Sequence, residues 1–140
     1  MKKITLMICI VSLLIAFGGI SSAAVSILGG VRGGLAIGAK MTEPLNNQPK
    51  LNLCGELELA TGDQPLLLSV GGQYPLGKIN YRYPVSMGFG LIAQGGNKAE
   101  AGLYANFLFE NMFEIQPLFL EAGIDVVGSG RAVIQFGYKI

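Results

Sequence analysis

From residue 25 onward, apolar side chains recur at every second position. Over 51–59, Leu51, Leu53, Leu57 and Leu59 fall on one side, and Asn52, Cys54, Glu56 and Glu58 on the other. The same alternation runs through 66–74, 79–93, 100–109, 118–126 and 131–140. Successive side chains of a β-strand point to opposite faces, so a period of two marks strands with one apolar face each. Between them lie runs rich in Gly, Pro, Asn and Asp: Thr42 to Lys50, 61–65, Pro75 to Lys78, 94–98, Glu110 to Glu114, and Gly128-Ser129-Gly130. Short strands with turns between them and no helical period predict an all-β sandwich or barrel.

Seven strands stand out in this pattern. The first stretch, 25–41, alternates throughout. It is either one long strand or a hairpin with its turn near Val31-Arg32-Gly33, and the hairpin gives eight strands. Closed single-chain barrels of bacteria have even strand numbers, which favours the hairpin.

The charges sharpen the picture. Arg32, Lys40, Glu56, Glu58, Arg82, Glu100, Glu121, Asp125, Arg131 and Lys139 all fall on the less apolar face of their segments, and the apolar face carries none. A soluble sandwich or calyx would turn the uncharged face inward to a core, whereas a membrane barrel would turn it outward to lipid. The charged face separates these readings. It is rich in Gly, Ala, Ser and Asn, which suits the cramped interior of a narrow barrel better than a solvated exterior. Arg32, Glu56, Glu58, Arg82, Glu100, Glu121, Asp125, Arg131 and Lys139 are therefore expected inside the barrel. Asp125 with Arg131, and Glu121 with Lys139, are expected to form ion pairs across the last hairpin.

Eight aromatic residues flank three places: Tyr74, Tyr81 and Tyr83; Phe107, Phe109 and Phe113; and Phe136 with Tyr138. In an up-and-down barrel all three lie at one rim. Aromatic rings favour the level of lipid headgroups, so such a band fits a membrane barrel.

The first 24 residues have a different character. Lys2 and Lys3 precede an uncharged apolar run, Ile4 to Ile20, and Ser21-Ser22-Ala23-Ala24 supplies small residues for cleavage after Ala23 or Ala24. This is the layout of a secretory signal peptide, with an uncleaved anchor as the alternative. The barrel domain is then 25–140. Of ten Lys plus Arg and nine Asp plus Glu in the chain, loss of Lys2 and Lys3 leaves eight against nine, a net charge of −1. No basic run points to a nucleic-acid partner. Cys9 lies in the leader, so Cys54 has no partner for an internal disulfide.

The C-terminal segment Arg131-Ala-Val-Ile-Gln-Phe-Gly-Tyr-Lys-Ile140 resembles the terminal strand of bacterial outer-membrane barrels. Family members usually end in Phe, and this chain ends in Ile140. In length, alternation and ending, the mature chain is similar to small OmpA- or OmpX-type barrels. The resemblance implies a Gram-negative outer-membrane location, contact with outer-membrane lipid, and a terminal strand read by the outer-membrane assembly machinery.

Candidate chemistry is sparse. Without His, a Ser-His hydrolase arrangement and imidazole metal ligands are excluded. Glu56 and Glu58 share a face, as an acid/base pair would, but interior carboxylates balanced by Arg32, Arg82 or Arg131 explain them more simply. Gly30, Gly34 and Gly38 have the spacing of a helix-packing face, but they also sit on the small-residue face of a strand. The expectation is a transmembrane β-barrel with a structural or interaction role, no catalysis, no cofactor and no metal. The alternative is a soluble periplasmic β-barrel or sandwich that binds an apolar ligand.

Overall fold

The computed structural model describes residues 24–45 and 48–140. The segment 1–23, on which the signal-peptide reading rests, lies outside the described residues. Among the described residues, eight strands form a closed antiparallel barrel: β1 (Ala24–Arg32), β2 (Leu35–Leu45), β3 (Gln48–Ala60), β4 (Leu66–Ile79), β5 (Tyr83–Gly95), β6 (Glu100–Glu110), β7 (Leu118–Val127) and β8 (Ser129–Lys139). Each strand pairs with the next in sequence. β1 closes the barrel against β8, from Ser26 opposite Lys139 to Arg32 opposite Val133. Closure leaves no edge strand with unpaired backbone groups.

The first stretch is a hairpin, which settles the parity. Gly33 takes φ +70, a left-handed conformation that glycine adopts without steric cost. The Arg32 N–H then donates to the Gly34 carbonyl at 2.9 Å. Val31 pairs with Leu35 and the strands run back in register as far as Ala24 opposite Thr42.

Two connections lie elsewhere than the turn residues indicate. The Thr42 to Lys50 run is mostly strand: β2 continues through Leu45 and β3 starts at Gln48. Pro44 is tolerated because the ladder shifts register between Pro44 and Leu45, and such irregularities are where a sheet accepts proline. Likewise Pro75 to Lys78 is no turn. The register slips between Pro75 and Gly77, and β4 runs on to Ile79. The chain reverses at 80–82 instead, where Asn80 and Tyr81 take φ of 51° and 60°.

The turns at 33–34, 61–65, 96–99 and 128 lie at one end, here called the turn rim. The terminal rim, at the other end, carries the start of β1, the C-terminus and the connections 80–82 and 111–117. Most of the outward aromatic residues lie toward the terminal rim, where Phe113 stacks on Phe136 with ring centroids 6.5 Å apart.

The two faces separate as the alternation requires. Outward residues such as Leu91 and Ile134 are 65 % and 57 % exposed, whereas inward Leu28, Leu67, Ile92 and Val133 are buried. Val85 belongs to the outward set yet is buried. Two apolar layers fill the lumen. Leu67, Ile92, Tyr104 and Val127 form one, and Leu28, Leu108 and Phe119 the other.

Phe119 fits only because its neighbour across the ladder is Gly137. A Cβ at 137 would stand 2.0 Å from Phe119 Cζ. Gly137→Val is therefore expected to overpack the lumen and destabilise the barrel by about 1–3 kcal/mol. Gly95→Ala, where an added Cβ meets nothing within 4 Å, should stay within about 0.5 kcal/mol of the parent. Urea titration of the two variants beside the parent measures both differences.

Candidate functional site

The largest concentration of polar chemistry is a buried ionic cluster at mid-height in the lumen. Strand register builds part of it directly. Lys40 on β2 stands opposite Glu56 on β3, Glu56 opposite Ser69 on β4, and Asp125 on β7 opposite Arg131 on β8. These inward side chains meet across a barrel too narrow to keep them apart.

Arg32 is the hub. Its side chain is 1 % exposed and binds three carboxylates from two strands. Nε and Nη2 donate to the two oxygens of Asp125 at 2.9 and 3.0 Å, a bidentate pair. Nη1 donates to Glu56 Oε2 at 2.8 Å and also to Glu58. The guanidinium carbon lies 5.9 Å from the centre of the Tyr104 ring, within cation–π range.

A second cation completes the cluster. Lys40 Nζ lies 2.9 Å from Glu56 Oε1 and donates to Glu121 Oε2 at 2.9 Å. Glu56 thus joins Arg32 to Lys40, with Ser69 Oγ donating to it at 3.0 Å. Asn106 donates to Glu121 and Gln135 to Glu58, so neutral amides take up further carboxylate oxygens. Toward the turn rim, Arg131 Nε donates to Asp125 at 3.0 Å and Nη1 to Gln94 at 2.8 Å, and Gln94 donates in turn to Glu100 at 2.7 Å.

The interior charges anticipated from the alternation fall into three groups. Arg32, Glu56, Glu58, Glu121 and Asp125 are buried together. Arg131 and Glu100 line the cavity at the turn rim, and Lys139 lines the one at the terminal rim. Arg82 is not inside. It sits in the 80–82 turn with 71 % of its side chain exposed and pairs with Glu114 at 2.9 Å. Asn111 Nδ2 donates to the Arg82 carbonyl at 3.2 Å, so the two turns of this rim are tied together. The alternation around 79–83 continues across a chain reversal, and for that reason Arg82 looks like a strand residue.

One of the two expected cross-hairpin pairs forms, Asp125 with Arg131. The other does not. Glu121 stands opposite Gln135 and binds Lys40, while Lys139, opposite Pro117 and beyond reach of Glu121, pairs with Glu110. Lys40 is the member of the cluster that sequence reasoning passed over. Its signal is the 40-to-56 register, hidden when 42–50 is taken as a long loop.

The cluster closes the lumen. Arg32 forms part of the lining of a cavity of about 510 Å³ at the turn rim, and Lys40 of one of about 360 Å³ at the terminal rim. Glu56 holds both cations between the two cavities. Cys54 is buried beside Gln73, whose Oε1 accepts from the thiol at 3.3 Å. Among the described residues no group of three or more His, Cys, Asp or Glu is arranged to hold a metal ion. Chemically the arrangement is a set of ionic struts, each carboxylate already committed to a cation or an amide.

Removing the hub leaves three carboxylates sharing too few donors. Arg32→Met is expected to cost on the order of 3–5 kcal/mol, the penalty of breaking a buried ion pair from one side. Arg82→Ala removes only an exposed pair and should cost about 1 kcal/mol at most. Urea midpoints of the refolded variants distinguish the two.

No protein family, curated protein or solved structure matches the chain, so the chemistry of this interior is taken from its own residues and their geometry.

Proposed function

We propose that the protein is a small outer-membrane β-barrel with a structural or interaction role and no catalysis. On this reading it is held among outer-membrane lipids and assembled there through its C-terminal strand. The observation that carries the reading is the inverted distribution of polarity. Large apolar residues, among them Ile37, Leu59, Leu91, Leu103, Ile124 and Ile134, stand about half or more exposed on the outer wall, while Arg32, Lys40, Glu56, Glu58, Glu121 and Asp125 are buried.

In water that wall would be costly. Soluble monomers rarely expose contiguous apolar patches above a few hundred Å². Among acyl chains the same wall is in its preferred solvent, and a closed barrel satisfies its backbone hydrogen bonds internally, as a lipid environment demands. The aromatic residues at the terminal rim fit the headgroup level of one leaflet. A soluble calyx for an apolar ligand would need an apolar cavity, whereas the turn-rim cavity is lined mainly by polar and charged groups and the terminal-rim cavity mixes apolar surface with charged Lys40, Glu110 and Lys139. The filled mid-height also argues against a wide diffusion pore.

Cell fractionation tests the reading, together with gel mobility before and after boiling. A membrane-fraction protein whose mobility shifts on heating supports it, and a soluble periplasmic protein without the shift contradicts it. A second test uses the wall itself. Ile134→Arg should destabilise the barrel in lipid bilayers by about 2–4 kcal/mol if position 134 lies near the midplane. In a soluble protein, the same exposed substitution should be close to neutral.

A further inference from the structure

The cavity at the terminal rim has an unusual lining. All eight strands contribute to it, so it is a cup of about 360 Å³ inside the barrel wall. That volume falls in the range of about 300–1,000 Å³ typical of small-molecule sites. Its polar lining is largely neutral. Ser26, Asn52 and Ser86 make no side-chain hydrogen bond to the described residues, although Ser26 and Ser86 are only 4 % and 6 % exposed. Gln73 uses its Oε1 on the Cys54 thiol and leaves its amide nitrogen unpaired. Thr42 meets that thiol only at 3.9 Å.

The charged groups of the cup are already engaged. Lys139 at its mouth pairs with Glu110, and Lys40 binds Glu56 and Glu121. An ammonium has three donors, so Lys40 keeps one N–H for a neutral oxygen. Below the cup, Arg32, Lys40 and the partly buried Arg131 face Glu56, Glu58, Glu121 and Asp125, three positive against four negative. An anion finds no surplus of positive charge there, and the cup offers no free carboxylate to attract a cation. Leu108 and Phe119 add an apolar wall.

We propose that this cup binds a small neutral polyhydroxylated solute, a sugar of one or two rings. Hydroxyls on its rim would meet Ser26, Asn52, Gln73, Ser86 and the spare Lys40 donor, while a C–H face would rest against Phe119 and Leu108. A pyranose pairs hydrogen-bonding edges with an apolar C–H face, and the lining likewise sets Leu108 and Phe119 on β6 and β7 against polar side chains from β1, β3, β4 and β5. Because the cup lies inside the wall, the proposal goes beyond the membrane reading and does not depend on it.

The test is binding to the refolded full barrel, in amine-oxide micelles so that no detergent carries a sugar headgroup. If fractionation shows the protein to be soluble, plain buffer replaces the micelles. Glucose, N-acetylglucosamine and maltose are titrated while backbone amide shifts are followed by NMR, with inorganic phosphate and glutamate as charged comparators. The expected result is saturable binding of at least one sugar, with shifts at residues 26, 73 and 86 and none at Thr61 or Gln94. Gln73→Leu, which deletes the amide at nearly constant shape, should weaken it by about tenfold or more. Ser86→Phe, which fills the cup, should abolish it, and the amide spectrum of each variant verifies that it is folded. If Ser86→Phe does not fold, Gln73→Leu and Ser26→Ala decide. No saturable response to any sugar overturns the proposal, as do shifts confined to the turn rim, affinity unchanged in the folded variants, or a response to phosphate or glutamate alone.

Discussion

One guanidinium sets the terms for the rest of this molecule. Arg32 lies in the lumen against Asp125, Glu56 and Glu58, and its position as the last residue of β1 follows from the hairpin turn that begins at Gly33. Taking ions out of water costs several kcal/mol each, and only good geometry and further hydrogen bonds recover it. Here those conditions are met by bidentate contact with Asp125, by Lys40 on the far side of Glu56, and by amides from Asn106 and Gln135. Partners come from β2, β3, β6, β7 and β8, so the cluster can form only when the barrel has closed. A slip of one residue in any of these strands would turn its ion or amide out through the wall. The interior ions thus make the register specific, whatever their net contribution to stability.

The same constraint explains the wall. With ions and amides assigned to alternate positions on the inside, the remaining strand positions are mostly apolar, with Glu43, opposite Leu53 near the terminal rim, as a charged exception. Apolar residues also occur inside, as Leu28, Leu67, Ile92 and Phe119 do, in layers on either side of the ions. The result is a cylinder closed at mid-height with a cavity at each end. On the proposed reading, the outer wall is the face that matters to the membrane, and the terminal cavity is where a solute would meet the protein.

Much of the fold was legible because a strand's period of two is local. The faces of 51–59, 100–109 and 118–126 follow from adjacent residues, and so does the tight hairpin at Gly128. The start was ambiguous on alternation alone, since Gly33 and Gly34 interrupt nothing in a segment of Gly, Ala and Val. The even-number rule favoured the hairpin, and the pairing of β1 with β2 resolves it. Where the reading failed, the decisive interaction was not local. Pro75-Leu76-Gly77-Lys78 carries strong turn chemistry, yet pairing of β4 with β5 continues past it and the turn falls at the non-glycine pair Asn80-Tyr81. Arg82 then leaves the barrel interior for the rim. Lys40 shows the converse. Its face was evident, but its partners depend on a register that two prolines conceal. Among the ion pairs, Asp125 with Arg131 was accessible because a tight hairpin fixes it, whereas Glu121 with Lys40 joins strands remote in sequence.

The central claim is that the uncharged wall meets acyl chains while the ions stay inside. The most direct measurement places a nitroxide at position 91 in a Cys54→Ser background and compares its collision rates with oxygen and with a water-soluble nickel chelate, in the protein as it sits in native membrane vesicles. Oxygen concentrates in hydrocarbon and the chelate in water. The account predicts high oxygen and low chelate accessibility at position 91. High chelate accessibility there, with the barrel folded, would contradict it.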